Sequence, residues 1–251
     1  MSILRFITLF AIISLILPIA CLAQSEFSEG TRAKATPKND YVFPVQELRM
    51  SDKGRKAFEK GAALLGKGDA AASLAYFDQA IAEFPRFYQA HYQLGIALFR
   101  LGHTIEAEQA FQKSIDLTGG GYAPPEFGMG MVLCQRQELE KAETVIQRGL
   151  DLQPGSAVGK YFLGLAQFGS NQLVEAERSI RQALVRKARF AQAYFLLARI
   201  HQRQNNSAAV VEDLKAYLKL DPHSPDGKQA RAFLEQTQQT MNQAGSQHAA
   251  H

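Results

Sequence analysis

Small residues recur through this chain at an almost constant interval, and that interval limits the possible folds more than any bulk property does. Gly61, Gly95, Gly130, Gly164 and Ala198 are spaced by 34, 35, 34 and 34 residues. Each follows Lys60, Leu94, Met129, Leu163 or Leu197, so an apolar column stands beside the small one in all but the first unit. A second small column follows at Ser73, Ala107, Ala142, Ala176 and, less well, Val210. Larger side chains then recur at Phe77, Phe111, Ile146, Ile180 and Leu214, and again at Ile81, Ile115, Leu150, Leu184 and Leu218. Pro85, Pro154 and Pro222 close three of the units, since proline cannot continue a helix. A fixed period of this length is the signature of a solenoid built from one repeated supersecondary unit.

The clearest unit, Ala90 to Leu117, reads as two amphipathic helices joined by a tight turn. Leu94, Ala97, Leu98 and Leu101 make an apolar stripe at helical spacing, and Ala107, Ala110, Phe111, Ser114 and Ile115 make the next. Gly102-His103 supplies the turn, because glycine tolerates the backbone angles that stop a helix. Gly95 and Ala107 are small where a large side chain would hold the paired helices apart. Such a hairpin cannot bury both faces alone and needs neighbours of its own kind.

These columns, over roughly Gly54 to Ser224, resemble the tetratricopeptide repeat family. The resemblance implies an all-α fold: a right-handed superhelical solenoid of about five helix-turn-helix units. They fall at about 54–87, 88–121, 123–156, 157–190 and 191–224, with a capping helix over 225–241. Three features depart from the family pattern. The large first-helix aromatic is replaced by Ala57, His91, Glu126, Lys160 and Tyr194; Gly119 and Ala188 stand in for the closing proline; and one extra residue near Gly119-Gly120-Gly121 is expected to loosen the junction between the second and third units. Ala230, Phe233, Leu234, Thr237 and Met241 share one face of the last helix, which covers the array's open end. The polar residues 242–251 read as a flexible tail.

Ahead of the repeats, residues 1–23 carry Arg5, then an apolar run from Phe6 to Ile19 and small residues, the grammar of a secretory signal peptide. Cleavage after Ala23 makes the protein exported, to the periplasm or outside the cell. A retained membrane anchor is the second reading and lipid attachment at Cys21 the third, because Ile19-Ala20-Cys21 ends like such a motif but Pro18 does not suit it. Residues 24–50 form a linker and N-terminal extended segment, in which Tyr41-Val42-Phe43-Pro44-Val45 either packs along the first repeat or binds a partner. Ser51 is placed to cap the first helix.

The formal charge of +4 is too small and too dispersed for nucleic acid, and no basic stripe interleaved with aromatics appears. Gly61 to Gly68 nearly spells a phosphate-binding loop, but Gly68 replaces the hydroxyl residue that would meet magnesium, and the stretch lies in a helix and its turn. Cys21 and Cys134 are not expected to pair, and Cys134 reads as a small packing residue. His91, His103, His201 and His223 lie in different units without a ligand pattern, and His248 with His251 lack a third ligand. Asn205-Asn206-Ser207 matches a glycosylation acceptor but occupies a hairpin turn. Neither cofactor nor metal is expected, and no catalytic constellation stands out. An enzyme ranks last among the functional readings.

The resemblance implies that first helices line a concave face that holds a protein or peptide partner. Three residues before each small-column residue stand Phe58, Tyr92, Phe127, Tyr161 and Phe195, all aromatic. One turn on come Ala62, Ile96, Met131, Leu165 and Arg199, then Leu65, Phe99, Cys134, Phe168 and Gln202, with Arg55, Arg100, Arg199 and Arg203 toward the ends. The ladder reads either as a binding strip for a peptide with apolar side chains or as packing between adjacent units. The Lys, Asn and Arg pattern of chaperone-binding members is absent from these positions. The sequence therefore implies a non-catalytic interaction scaffold of the cell envelope, or alternatively a membrane-tethered envelope assembly factor.

Overall fold

The computed structural model describes residues 51–248, and every regular element among them is an α-helix. The described residues divide into two compact units, with the boundary between Arg136 and Gln137. The first holds α1 (Asp52–Gly66), α2 (Ala70–Glu83), α3 (Tyr88–Arg100), α4 (Thr104–Thr118) and α5 (Ala123–Gln135). The second holds α6 (Leu139–Leu152), α7 (Ala157–Gly169), α8 (Leu173–Arg186), α9 (Ala191–Arg203), α10 (Ser207–Leu220) and α11 (Pro225–His248). Within each unit consecutive helices pack on one another, and first helices one hairpin apart also touch: α1 with α3, α3 with α5, α7 with α9. This is the packing of tetratricopeptide hairpins. The division between units falls in the turn of the third predicted hairpin.

Local chemistry starts and stops these helices where the period requires. Ser51 Oγ accepts from the Gly54 amide at 3.1 Å, Asp69 caps Ala72, Ser156 caps Gly159, and Asn206 caps Ala209. Each hairpin turn places one residue in the left-handed region, at Gly68, Gly102, Gln137, Asn171 and Asn205. These positions repeat with the same period as the small column. Glycine and asparagine tolerate that conformation best, which explains four of the five.

The small column has a direct steric cause. A Cβ on Gly61 would lie 2.9 Å from the Phe77 ring, one on Gly95 2.7 Å from the Phe111 ring, and one on Gly164 2.6 Å from Ile180 Cδ1. In the first, second and fourth hairpins the first helix thus lies with its backbone against the large residue of the second. Phe111 goes further. Its ring also comes within 2.6 Å of a Cβ placed on Gly128 of α5, so it fills the space between two glycines on successive first helices. In the fifth hairpin Ala198 and Leu214 belong to one buried cluster, so there the column carries a methyl group.

Four expectations change. On α3 the buried face is Tyr92, Gly95, Ile96 and Phe99, while Leu94 and Leu98 are only partly buried and Leu101 is exposed in the turn. The stripe is rotated because the glycine, not the leucines, meets the second helix. The extra residue near Gly119 does not open the junction: α4 runs to Thr118, Gly119 and Gly120 turn left-handed, and the Gly120 amide closes on Ile115 O at 3.0 Å. The capping helix does not stop at 241 but runs to His248, because neither Asn242 nor Gln243 breaks a helix, and both are exposed polar residues of an uncovered turn. Met241, expected on its packed face, is exposed, while Ala230 joins the buried cluster of Leu214 and Tyr217, against which Phe233 and Leu234 pack. The signal segment, Cys21, the linker with Tyr41 to Val45, and His251 lie outside the described residues.

If the glycine–aromatic contact sets helix spacing, Gly95→Ala lowers stability by about 1–3 kcal/mol, although alanine is the better helix former. Adding Phe111→Leu makes the double variant less destabilised than the sum of the singles. Urea unfolding followed by circular dichroism measures both; a Gly95→Ala protein more stable than wild type contradicts the contact.

Candidate functional site

The aromatic ladder lies on first helices, as its spacing predicts, but three of its rings are turned into the packing. Tyr92 is 8% exposed, Phe127 3% and Tyr161 3%, while Phe58 and Phe195 are half-buried. Phe58 stacks on Phe87 at 4.7 Å, Tyr92 on Tyr122 at 5.9 Å and Tyr161 on Phe190 at 4.9 Å between ring centroids. Phe87, Tyr122 and Phe190 are the residues immediately before α3, α5 and α9. Phe58, Tyr92 and Tyr161 therefore seal their own first helices against the entrance of the next, whereas Phe195 lies against Tyr217 of its own hairpin. Burial holds the Tyr92 phenol far above its ordinary range, with Tyr122 adding to the effect and Arg100 opposing it.

The next turn of the first helices divides similarly. Ile96 and Met131 are fully buried, as are Phe99, Phe168 and Cys134, whereas Leu165, Arg100 and Arg199 remain partly accessible. Arg100 Nη1 donates to Leu65 O at 2.7 Å, and Arg203 Nη1 donates to Phe168 O at 3.0 Å. Each arginine adds a second donor to a last-turn carbonyl of the preceding first helix, beside the turn amides of Gly68 on Leu65 O at 3.1 Å and Asn171 on Phe168 O at 3.2 Å. Burial lowers Arg100 to about 10. In the second unit the Arg199 and Arg203 guanidinium carbons stand 5.3 and 4.1 Å from the centre of the Phe168 ring. Burial lowers Arg199, the neighbouring Arg203 lowers it further, and Tyr161 opposes the shift. Arg55, expected near one end, pairs with Asp52 on an exposed turn.

One polar cluster escaped the sequence pattern. His201 is buried on α9, its Nδ1 2.6 Å from Asp213 Oδ2 of α10 and its Nε2 3.5 Å from Glu177 Oε1 of α8. Burial raises the Asp213 carboxyl, partly countered by His201. Burial also pushes Glu177 upward, but bonds from Arg181 and Gln204 and the Arg181 charge outweigh it and leave that carboxyl low. The three helices are joined by this cluster. Its members are 24 and 12 residues apart in sequence, so no motif links them. Among the described residues no group of three His, Cys, Asp or Glu side chains is placed to hold a metal ion. The near phosphate-loop stretch is the end of α1 and its turn, with Gly61 against Phe77. No helix among the described residues is long and apolar enough to cross a membrane.

The family model for the tetratricopeptide repeat matches residues 58–122 and 161–225, more than half of the chain. The chain belongs to the tetratricopeptide repeat family. No curated protein matches it. Solved structures share the fold at low identity. The thermophilic repeat protein TTC0263 of Thermus thermophilus is 19% identical, with a TM-score of 0.66 over 72% of this chain and 98% of that one. PilW, a widely conserved type IV pilus biogenesis factor, is 13% identical, with a TM-score of 0.63 over 76% of this chain and 93% of that one. YrrB, a repeat protein with an unusual peptide-binding site, is 18% identical, with a TM-score of 0.50 over 70% of this chain and 90% of that one. Proteins of this family commonly bind protein or peptide partners.

Packing and accessible positions separate by mutation. Tyr161→Ala costs about 3–5 kcal/mol, the range for emptying a buried aromatic site, whereas Leu165→Ala, one turn away and partly exposed, costs less than half of that. His201→Ala leaves the Asp213 carboxylate without its ring partner and costs about 3–5 kcal/mol. Denaturant unfolding of the three variants gives the ranking directly.

Proposed function

We propose that this protein is a non-catalytic scaffold that grips a peptide segment along its first helices, after export to the cell envelope. One observation carries the reading. In the second unit, hairpin packing leaves Leu165, Phe195 and Arg199 partly accessible on successive first helices. Large apolar and arginine side chains held on rigid helices are the kind that anchor a bound chain at low entropic cost. The buried Tyr161 ring anchors the same helix, α7, that presents Leu165. Membership of the repeat family favours a polypeptide partner over a small substrate, and YrrB is a fold relative with a peptide-binding site.

Export rests on the apolar N-terminal segment with its early Arg5 and small residues before Gln24. A tethered envelope assembly factor is the second reading, favoured by Ile19-Ala20-Cys21 and by the fold shared with the pilus biogenesis factor PilW.

A photo-crosslinking residue placed at position 165 in intact cells is expected to capture a discrete protein, while the same residue at exposed Leu152 on α6 captures none. Equal capture from both positions, or none from 165, removes the first-helix surface as the binding site. Mass measurement of the mature protein is expected to give an N-terminus at Gln24. An acylated Cys21 shifts the assignment to the tethered form, and an intact Met1 in the cytoplasmic fraction ends the export reading.

A further inference from the structure

We propose that Arg199 and Arg203 form a carboxylate-binding site on the second unit that takes a glutamate or aspartate side chain of the bound peptide. This deepens the peptide-binding reading and rests on it. The two arginines are one helical turn apart on α9 and share the face that meets Phe168 of α7. Like charges at this spacing repel, and burial strips Arg199 of much of its water, while Arg203 is exposed beside it. The chain nevertheless holds them together. The Phe168 ring supports both guanidinium groups, and the Phe168 carbonyl fixes Arg203 at 3.0 Å.

No anion among the described residues answers this charge. Arg199 has no hydrogen-bond or ion-pair partner there, and its guanidinium rests on the ring. The acids of neighbouring helices are committed elsewhere, Glu177 to Arg181 and Gln204, Asp213 to His201. Arg181, by contrast, has its carboxylate. An arginine carries five donors in a fixed fork that matches a carboxylate. Arg203 spends one on the carbonyl, so most of the donors of the pair are available.

The surroundings select the ligand. Leu165 and the covered Phe168 ring make the floor apolar, which strengthens a charge-assisted bond and disfavours a polyanion. A nucleic acid would need a run of cations to meet successive phosphates. The column leading to Arg199 reads Ala62, Ile96, Met131 and Leu165 instead. A single acidic side chain set among apolar neighbours fits this site.

The test uses purified full-length protein and three fluorescent peptides of leucine, phenylalanine and serine, read by anisotropy at low salt. The first, blocked at both ends, carries two central glutamates. The second replaces them with glutamines, and the third is the glutamine peptide with a free C-terminal carboxylate. The glutamate peptide is expected to bind at least about tenfold more tightly than the blocked glutamine peptide, the scale of a hydrogen bond to a charged group. Arg199→Gln is expected to erase most of that advantage while weakening glutamine-peptide binding far less than it weakens glutamate-peptide binding. It keeps the Arg203 bond to the backbone and so does not depend on a disturbed helix end; Arg199→Gln with Arg203→Gln erases the rest. Equal affinity for the two blocked peptides overturns the carboxylate site while the groove stands. Tight binding of the third peptide alone moves the ligand to a chain terminus and overturns the side-chain assignment. Failure of all three to bind overturns the site together with the peptide-binding reading.

Discussion

The distance between paired helices is the quantity on which the rest of this structure depends, and an absent Cβ sets it. At Gly61, Gly95 and Gly164 the backbone of a first helix lies against a large side chain of the second, with no room for a methyl group. Dispersion between closely packed atoms falls off steeply with separation. A repeat that loses this approach loses contact along the whole hairpin. Phe111 extends the principle from one hairpin to two, since its ring meets Gly95 and Gly128 together.

That close approach frees the aromatic ladder for another task. With the helices of a hairpin held by glycine, Tyr92 and Tyr161 are available to close the seam to the next hairpin through Tyr122 and Phe190. Burial falls differently on the same columns in different repeats. Tyr161 is buried and Leu165, one turn on, is partly accessible, whereas Ile96 and Met131 are buried together with Tyr92 and Phe127.

The sequence announced the fold plainly, because every hairpin repeats the same local demands. The small column, the turns at Gly102 and Asn205 and the cap at Ser51 are all decided within a few residues. The site was less legible. That Tyr92 packs inward depends on Tyr122, thirty residues away, although an aromatic column at Phe87, Tyr122 and Phe190 stood in the sequence as a signal. Its irregularity, with Ser156 in the same register, hid it. His201 looked isolated because Glu177 and Asp213 reach it only through helix packing. The α11 extension was misread for a different reason: a run of polar residues looks alike as a loop and as an uncovered helix.

The ties from Arg100 to Leu65 O and from Arg203 to Phe168 O carry a mechanical meaning. A linear array has only nearest neighbours and is prone to peel from its ends, one hairpin at a time. Each of these bonds makes the last turn of one first helix depend on the presence of the next. Peeling back the later hairpin therefore takes one of two donors from a carbonyl of the earlier one, so neighbouring hairpins within a unit share the cost of opening. A load on α9 would spread into α7 rather than being absorbed in a single repeat.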